Sequence, residues 1–309
     1  MTYNPTLAWL LDGDPAIRWQ VQRDLLGAPE PDYQPERARV ATAGWGKDLL
    51  GRQDRATGMW GGGLYGPKWI STHYTLQLLA QMGVPANDQV RRGLDLLLAG
   101  GVLADGGVNY SPRGKTAETC ETGMLLAITS GFGMVEERVE RMVGYLLQEQ
   151  MSDGGWNCQR QRGATHASLH TTICVLEGLS AYRVAGGAQR DAVHEAELDG
   201  REFLAAHRLF RSHRSGEVVS QAMTRFAFPP WWHYDVLRGL DYLQSVKAER
   251  DGRYEDGIEL LRSKRRSDGT WTRQNRHAGE EWLQMEPTGQ PGRWNTLRAL
   301  RVLRWWEGD

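Results

Sequence analysis

Tyr145-Leu146-Leu147-Gln148-Glu149-Gln150-Met151-Ser152-Asp153-Gly154-Gly155-Trp156 is the stretch that decides the fold, because the chain writes it again elsewhere. The phrase returns as Leu97-Leu98…Val102…Asp105-Gly106-Gly107-Val108 and as Leu260-Leu261…Arg265…Asp268-Gly269-Thr270-Trp271. A looser copy, Leu49-Leu50…Gln53…Gly58-Met59-Trp60, precedes them. Each copy reads as an amphipathic helix that runs out, a glycine turn that stops it, and an apolar or aromatic residue beyond. A period of roughly 50 residues signals stacked copies of one supersecondary unit, none able to bury its apolar face alone.

Working outward from these phrases, the spacing predicts six helix pairs. The second helices align without gaps and begin near Trp19, His73, Cys120, His170, Trp231 and Trp294. Each continues as an apolar run, such as Leu76–Leu79, Met124–Ile128 and Ile173–Leu179, with few charges. A helix covered on both sides reads this way. First helices such as 136–150 and 190–207 alternate charged and apolar residues and suit an outer, half-solvated layer. Gly83, Gly131 and Gly186 stand where inner helices should end. Six inner and six outer helices predict an all-α fold, an α/α toroid, spanning residues 1–309 as one domain without a Pro-, Gly- or Ser-rich linker. The irregular stretches 52–69, 159–168, 210–230 and 273–293 all lead into inner helices, so they are expected to crowd one mouth.

Composition narrows the function classes. The chain has 309 residues, 40% hydrophobic and 24% charged, as soluble globular proteins do. A net charge of −1 gives no electrostatic case for nucleic acid or an anionic membrane surface. Three cysteines, Cys120, Cys158 and Cys174, argue against a disulfide scaffold and for a reducing compartment. No secretory signal opens the chain, and no apolar run approaches the roughly 20 residues that span a bilayer. The expectation is a cytoplasmic protein without an integral membrane segment.

Of thirteen tryptophans, six form two sets. Trp60, Trp156 and Trp271 follow the turns and are expected to wedge neighbouring repeats together. Trp19, Trp231 and Trp294 share the aligned position with His73, and an aromatic-walled mouth there suits an apolar ligand, a developing carbocation or a stacked sugar. Glu118, Cys120 and His170 lie at two neighbouring helix starts. Carboxylate, thiolate and imidazole are zinc ligands, and three of them leave a fourth position open. The alternative is that Cys120 is a small buried residue and His170 a hydrogen-bonded one. His73, Cys158 and His166 stand in reserve as ligands. Converging helix N-termini with Arg113 and Lys115 favour an anionic head group.

These residues resemble the repeat family shared by protein prenyltransferase β subunits and squalene-type triterpene cyclases. The Tyr145…Gln150…Gly154-x-Trp156 phrase is similar to the cyclases' Gln-Trp repeat. The cyclase branch carries an Asp-x-Asp-Asp acid cluster, which this chain lacks; Asp12-Gly13-Asp14 is its nearest string. Glu118-Thr119-Cys120, followed fifty positions later by His170-Thr171, resembles the prenyltransferase zinc site, with Glu118 where that family has Asp. Lys115 matches the basic residue that the family sets near the diphosphate, and Arg113 lies one position from a second. The resemblance implies an isoprenoid-handling enzyme on the prenyltransferase rather than the protonation-driven cyclase branch, working by zinc-assisted prenyl transfer or diphosphate ionisation on a prenyl diphosphate-like amphiphile. Two other functions stay open. One is a carbohydrate-active α/α barrel using carboxylates among Asp235, Glu280, Glu281 and Glu286. The other is a ligand-binding toroid without catalysis.

Overall fold

The computed structural model describes residues 4–111, 114 and 116–308. The chain opens with α1 (Pro5–Leu11), α2 (Pro15–Asp24), α3 (Glu30–Arg39) and α4 (Gly44–Leu50). It continues through α5 (Thr72–Met82), α6 (Asp88–Gly101), α7 (Thr119–Gly131), α8 (Glu137–Gln148) and α9 (Leu169–Val184). It ends with α10 (Arg190–Ala206), α11 (Val236–Ser245), α12 (Glu255–Ser263) and α13 (Arg293–Glu307). Among the described residues there is no β-strand, only isolated bridges such as Val102 with Val108. Helices α5, α7, α9, α11, α13 and α2 meet in that succession as the inner ring, and outer helices such as α6, α8, α10 and α12 pack against its members. The fold is the expected α/α toroid.

The phrase recurs because its copies share a set of bonds: all three kinds in the Trp60 and Trp156 copies, two in the Trp271 copy and the backbone bond at Val108. Trp60, Trp156 and Trp271 are fully buried. Their indole N–H groups donate to Leu49 O (2.7 Å), Leu146 O (2.7 Å) and Leu261 O (2.8 Å), carbonyls in the last turn of the preceding outer helix. A helix leaves its last carbonyls without i+4 partners, and the tryptophan bonds one of them in each case while filling the gap between layers; Leu49 O and Leu261 O also accept N–H groups from the residues that end their helices. The backbone N–H of the same tryptophans donates to Thr72, Thr172 and Thr296 Oγ1 at 3.0–3.1 Å, in the first turn of the next inner helix. Val108 and Thr122 repeat the bond at 2.9 Å. Gln53 and Gln150 each bridge a turn carbonyl, Gly58 O or Gly154 O, to the following outer helix at Gln89 O or Ala196 O.

Inner helices α7 and α9 meet backbone to backbone. A Cβ on Gly178 would lie 2.4 Å from Gly123 O, and one on Gly123 would lie 2.7 Å from Cys174 O. The ring closes where α13 meets α2. Arg301 donates to Asp24 Oδ2 (3.0 Å) and Gln20 Oε1 (3.3 Å), and Arg304 donates to Asp24 O (2.9 Å) and Leu25 O (2.8 Å).

Two inner helices start elsewhere than expected. Helix α2 begins at Pro15 rather than near Trp19, because Asp14 accepts the Ala16 N–H as N-cap and proline suits the first helical position. Helix α11 begins at Val236, capped by Asp235, whose Oδ1 accepts the Arg238 N–H at 2.8 Å. The preceding Pro229-Pro230 and the left-handed φ of 55° at Trp231 keep that segment out of the helix. Among the described residues no helix is long and apolar enough to cross a membrane.

Candidate functional site

The two ends of the ring differ in kind. At the N-terminal ends of the inner helices, loops 52–69, 226–235 and 273–292 bring rings together until they fill the mouth. Trp69 and Trp231 stack at 5.2 Å with planes 3° apart, and His233 and His277 stack at 3.6 Å. Tyr65 stacks on Tyr110 and packs against His73 and Tyr74. The void among His170, Arg225, His233, Asn275 and His277 measures about 30 Å³, room for one water. Burial lowers the basicity of the imidazoles here, to about 3 for His73 and His233 and about 4 for His170 and His277. Burial acts oppositely on Glu121, whose carboxyl is pushed up to about 8. This end is a plug.

Beside the plug a cavity of about 530 Å³ is lined by His166, His170, His207, His213 and Met223, and another space lies on the far side of the plug. A cavity of about 310 Å³ opens among the middle and C-terminal turns of the inner helices, floored by Phe228, Pro230 and Trp294. Phe228 and Trp294 stack at 4.2 Å. Around them stand Gln20 (α2), Gln77 and Gln81 (α5), Glu177 (α9), Arg238 and Asp241 (α11), and Arg298 and Arg301 (α13). Each guanidinium faces a carboxylate. Arg238 holds Glu177 through two bonds, 2.9 and 2.7 Å, and Arg298 donates to Asp241 at 3.1 Å. Arg301 pairs with Asp24 at 3.0 Å and lies 3.7 Å from Asp241. Three positive side chains therefore meet three negative ones. Among the described residues three buried polar atoms of the lining have no hydrogen-bond partner: Trp294 Nε1 and Arg301 Nε, both donors, and Gln77 Oε1, an acceptor. A buried polar group left unpaired costs about 1–3 kcal/mol, so such atoms mark a place for water or ligand.

The residues singled out from the sequence are dispersed. Trp294 lines the cavity as its floor. Trp231 lies in the plug, and Gln77 donates to its carbonyl at 3.2 Å from the cavity side. His73 is fully buried beside Tyr110. Trp19 does not join either group; five residues into α2, it donates to Met82 O at 2.8 Å and closes the far end of α5. Arg113 and Lys115 lie outside the described residues. Of the zinc candidates, Glu118 ion-pairs with Arg162 at 2.9 Å, and His170 Nδ1 accepts the Tyr234 N–H at 2.8 Å. The sulfur that meets Cys120 is that of Cys158. Among the described residues no three His, Cys, Asp or Glu side chains gather as a metal site.

The carboxylates considered for carbohydrate chemistry also have other work. Asp235 caps α11, Glu281 pairs with Arg273 and Arg276, and the Glu280 backbone pairs with that of Lys68 and Trp69. Glu286 accepts the Trp294 backbone N–H, and burial pushes its carboxyl up to about 7. The cavity's own charged residues went unread in the sequence. Their signal was present: Glu177, Arg238, Asp241, Arg298 and Arg301 are charges on otherwise apolar inner helices, where burial demands a reason.

No protein family and no characterised relative matches the chain by sequence. Solved structures do match by shape. A polysaccharide lyase superposes with a TM-score of 0.50 at 12% identity, over 96% of this chain and 91% of the lyase. A glycosyl hydrolase of family 88 from Bacteroides vulgatus gives 0.47 at 12% identity, over 98% and 94%. The type II terpene cyclase MstE from Scytonema gives 0.46 at 16% identity, over 97% and 96%. At such identities the lyase likeness establishes a shared α/α toroid fold and nothing about chemistry.

Proposed function

We propose that the central cavity is a carbohydrate site, sized for a mono- or disaccharide, and that Glu177 and Asp241 are the carboxylates placed to act on it. The observation that carries this reading is the balance of the lining. Its three arginines are matched by Glu177, Asp241 and Asp24, so no surplus positive charge awaits a diphosphate. The lining instead offers both donors and acceptors, with Trp294 Nε1 and Gln77 Oε1 still free. A hydroxyl both donates and accepts, so a polyol satisfies such a lining. The Phe228–Trp294 stack offers an apolar face for a sugar ring. An isoprenoid tail would cover the arginines and glutamines with groups unable to replace their water bonds, at a cost of about 1–3 kcal/mol for each group stranded.

The cavity volume stands at the lower end of the roughly 300–1,000 Å³ usual for small-ligand sites. Acid–base work on a glycosidic bond uses two carboxylates, and Glu177 and Asp241, though each is paired with an arginine, are the two that line this cavity. The test is calorimetric titration with a panel of mono- and disaccharides beside farnesyl diphosphate. A saccharide is expected to bind, and Trp294→Phe, which keeps a ring and removes the N–H, is expected to weaken it roughly five- to tenfold. Binding of the prenyl diphosphate with no saccharide bound would overturn the proposal and return the isoprenoid reading.

A further inference from the structure

Cys158 lies in the loop after the second full repeat, and its sulfur reaches the first turn of α7. The Cys120 backbone N–H points at Cys158 Sγ from 3.1 Å. Cys120 is the second residue of α7, so this N–H is one of the four that a helix start leaves without a partner. Thr171 Oγ1 donates to the same sulfur at 3.5 Å while accepting the Cys158 backbone N–H at 3.3 Å. The Cys120 side chain beside it is the main influence that holds the Cys158 thiol below its ordinary range. Two donors converging on one sulfur is an arrangement that supports a thiolate, and the residue that supplies one of them, Cys120, carries the second thiol. Both residues are half-buried, whereas Cys174 is fully buried. Neither the plug nor the central cavity uses this pair.

We propose that Cys158 and Cys120 form a reversible oxidation site, with Cys158 the attacking thiolate and Cys120 the resolving thiol, joined on oxidation as an intrachain disulfide. The oxidant is a peroxide. Cys158 sulfur attacks one peroxide oxygen, the O–O bond breaks, and the sulfur becomes a sulfenic acid while hydroxide leaves and takes a proton as water. The Cys120 sulfur then attacks that sulfur and gives up its proton. The S–S bond forms, the S–O bond breaks, and a second water departs. In sum, two thiols and one hydrogen peroxide give one disulfide and two waters, and a small dithiol reverses the step. The bridge ties the first turn of α7 to the loop that feeds α9, across the seam between two repeats. By closing that loop it restricts the unfolded chain and is expected to raise the thermal midpoint by roughly 5–10 °C.

The experiment uses the full chain, reduced, then treated with hydrogen peroxide and mapped without reduction by mass spectrometry. The expected result is one cross-linked peptide pair joining Cys120 to Cys158, a loss of two hydrogens, an unmodified Cys174 and the higher midpoint. In Cys120→Ser the reaction stops at Cys158 sulfenic acid, trapped as its dimedone adduct, and Cys158→Ser yields neither product. The unsubstituted protein provides a readout that needs no variant: alkylation by limiting iodoacetamide should label Cys158 before Cys120 and Cys174. Labelling of Cys120 first, equal labelling of all three, or oxidation without the cross-link overturns the proposal. So does stoichiometric zinc on the pair that must be chelated before either thiol reacts.

Discussion

Replacing Gly178 with alanine sets two effects against each other. Gly178 sits in the middle of α9, where alanine is favoured over glycine by about 1 kcal/mol in helix propensity alone. The new Cβ, however, would lie 2.4 Å from the Gly123 carbonyl oxygen and 3.2 Å from its carbon. Ordinary contact begins near 3.4 Å, so the two helices must part by about 1 Å. The obstacle is backbone and cannot swing aside as a side chain would. Overpacking costs about 1–3 kcal/mol, and a rigid neighbour places this case at the upper end. The net expectation is a loss of about 2 kcal/mol, lowering the thermal midpoint by roughly 4–6 °C. Gly144→Ala is the control, because Gly144 is interior to α8 and a Cβ there meets nothing within 4 Å. That variant is expected to gain about 0.5–1 kcal/mol from propensity and reduced unfolded-state freedom. Thermal and urea unfolding of both variants decide the matter. If Gly178→Ala is as stable as the parent or more so, the close seam between α7 and α9 is not what requires glycine.

Two further outcomes follow from buried charge. Glu286 has its carboxyl raised to about 7 by burial, so between about pH 4.5 and 7 the folded chain holds a proton that the unfolded chain has lost. Its stabilising contribution is complete below the unfolded value and disappears as pH rises through about 7. Glu286→Gln keeps an acceptor for the Trp294 N–H, so its melting point should rise relative to the parent as pH goes from 5 to 8; a constant difference would refute this. Arg238→Met leaves Glu177 and His233 O without their partner. Breaking a buried pair typically costs about 3–5 kcal/mol, and the 31% exposure of Glu177 reduces the expected loss to about 2–3 kcal/mol by urea unfolding.

The toroid was legible because its signal is repeated and local. Trp156, Thr172 and Gln150 make bonds within or between neighbouring repeats, so the same letters recur wherever the same bonds do. Helix starts at Thr72, Thr119, Leu169 and Arg293 fall within two residues of their expected places for this reason. The start of α2 was missed because alignment with the later repeats outweighed a local cap, Asp14-Pro15. The site was less legible, because it is built from what is not repeated. Arg298 meets Asp241 across 57 residues, and Arg301 meets Gln20 across 281, separations with no periodic trace. A mouth lined by aligned rings was expected to be open, yet side chains large enough to wall a mouth are also large enough to fill it. Trp69 and Trp231 fill it.

The junction of α13 with α2 has a kinetic side. Most neighbours in the ring are about one repeat apart in sequence and can assemble while the rest of the chain is still searching. Arg301 and Arg304 instead reach residues 277 to 281 positions away. Their bonds reward the chain only after the largest loop-closure entropy has been met, which places them after the rate-limiting barrier. Arg304→Gln should accordingly speed unfolding several-fold and leave the folding rate nearly unchanged in a chevron experiment. The ring thus has a latch, and the lifetime of the closed molecule is governed there rather than in the wedged tryptophans.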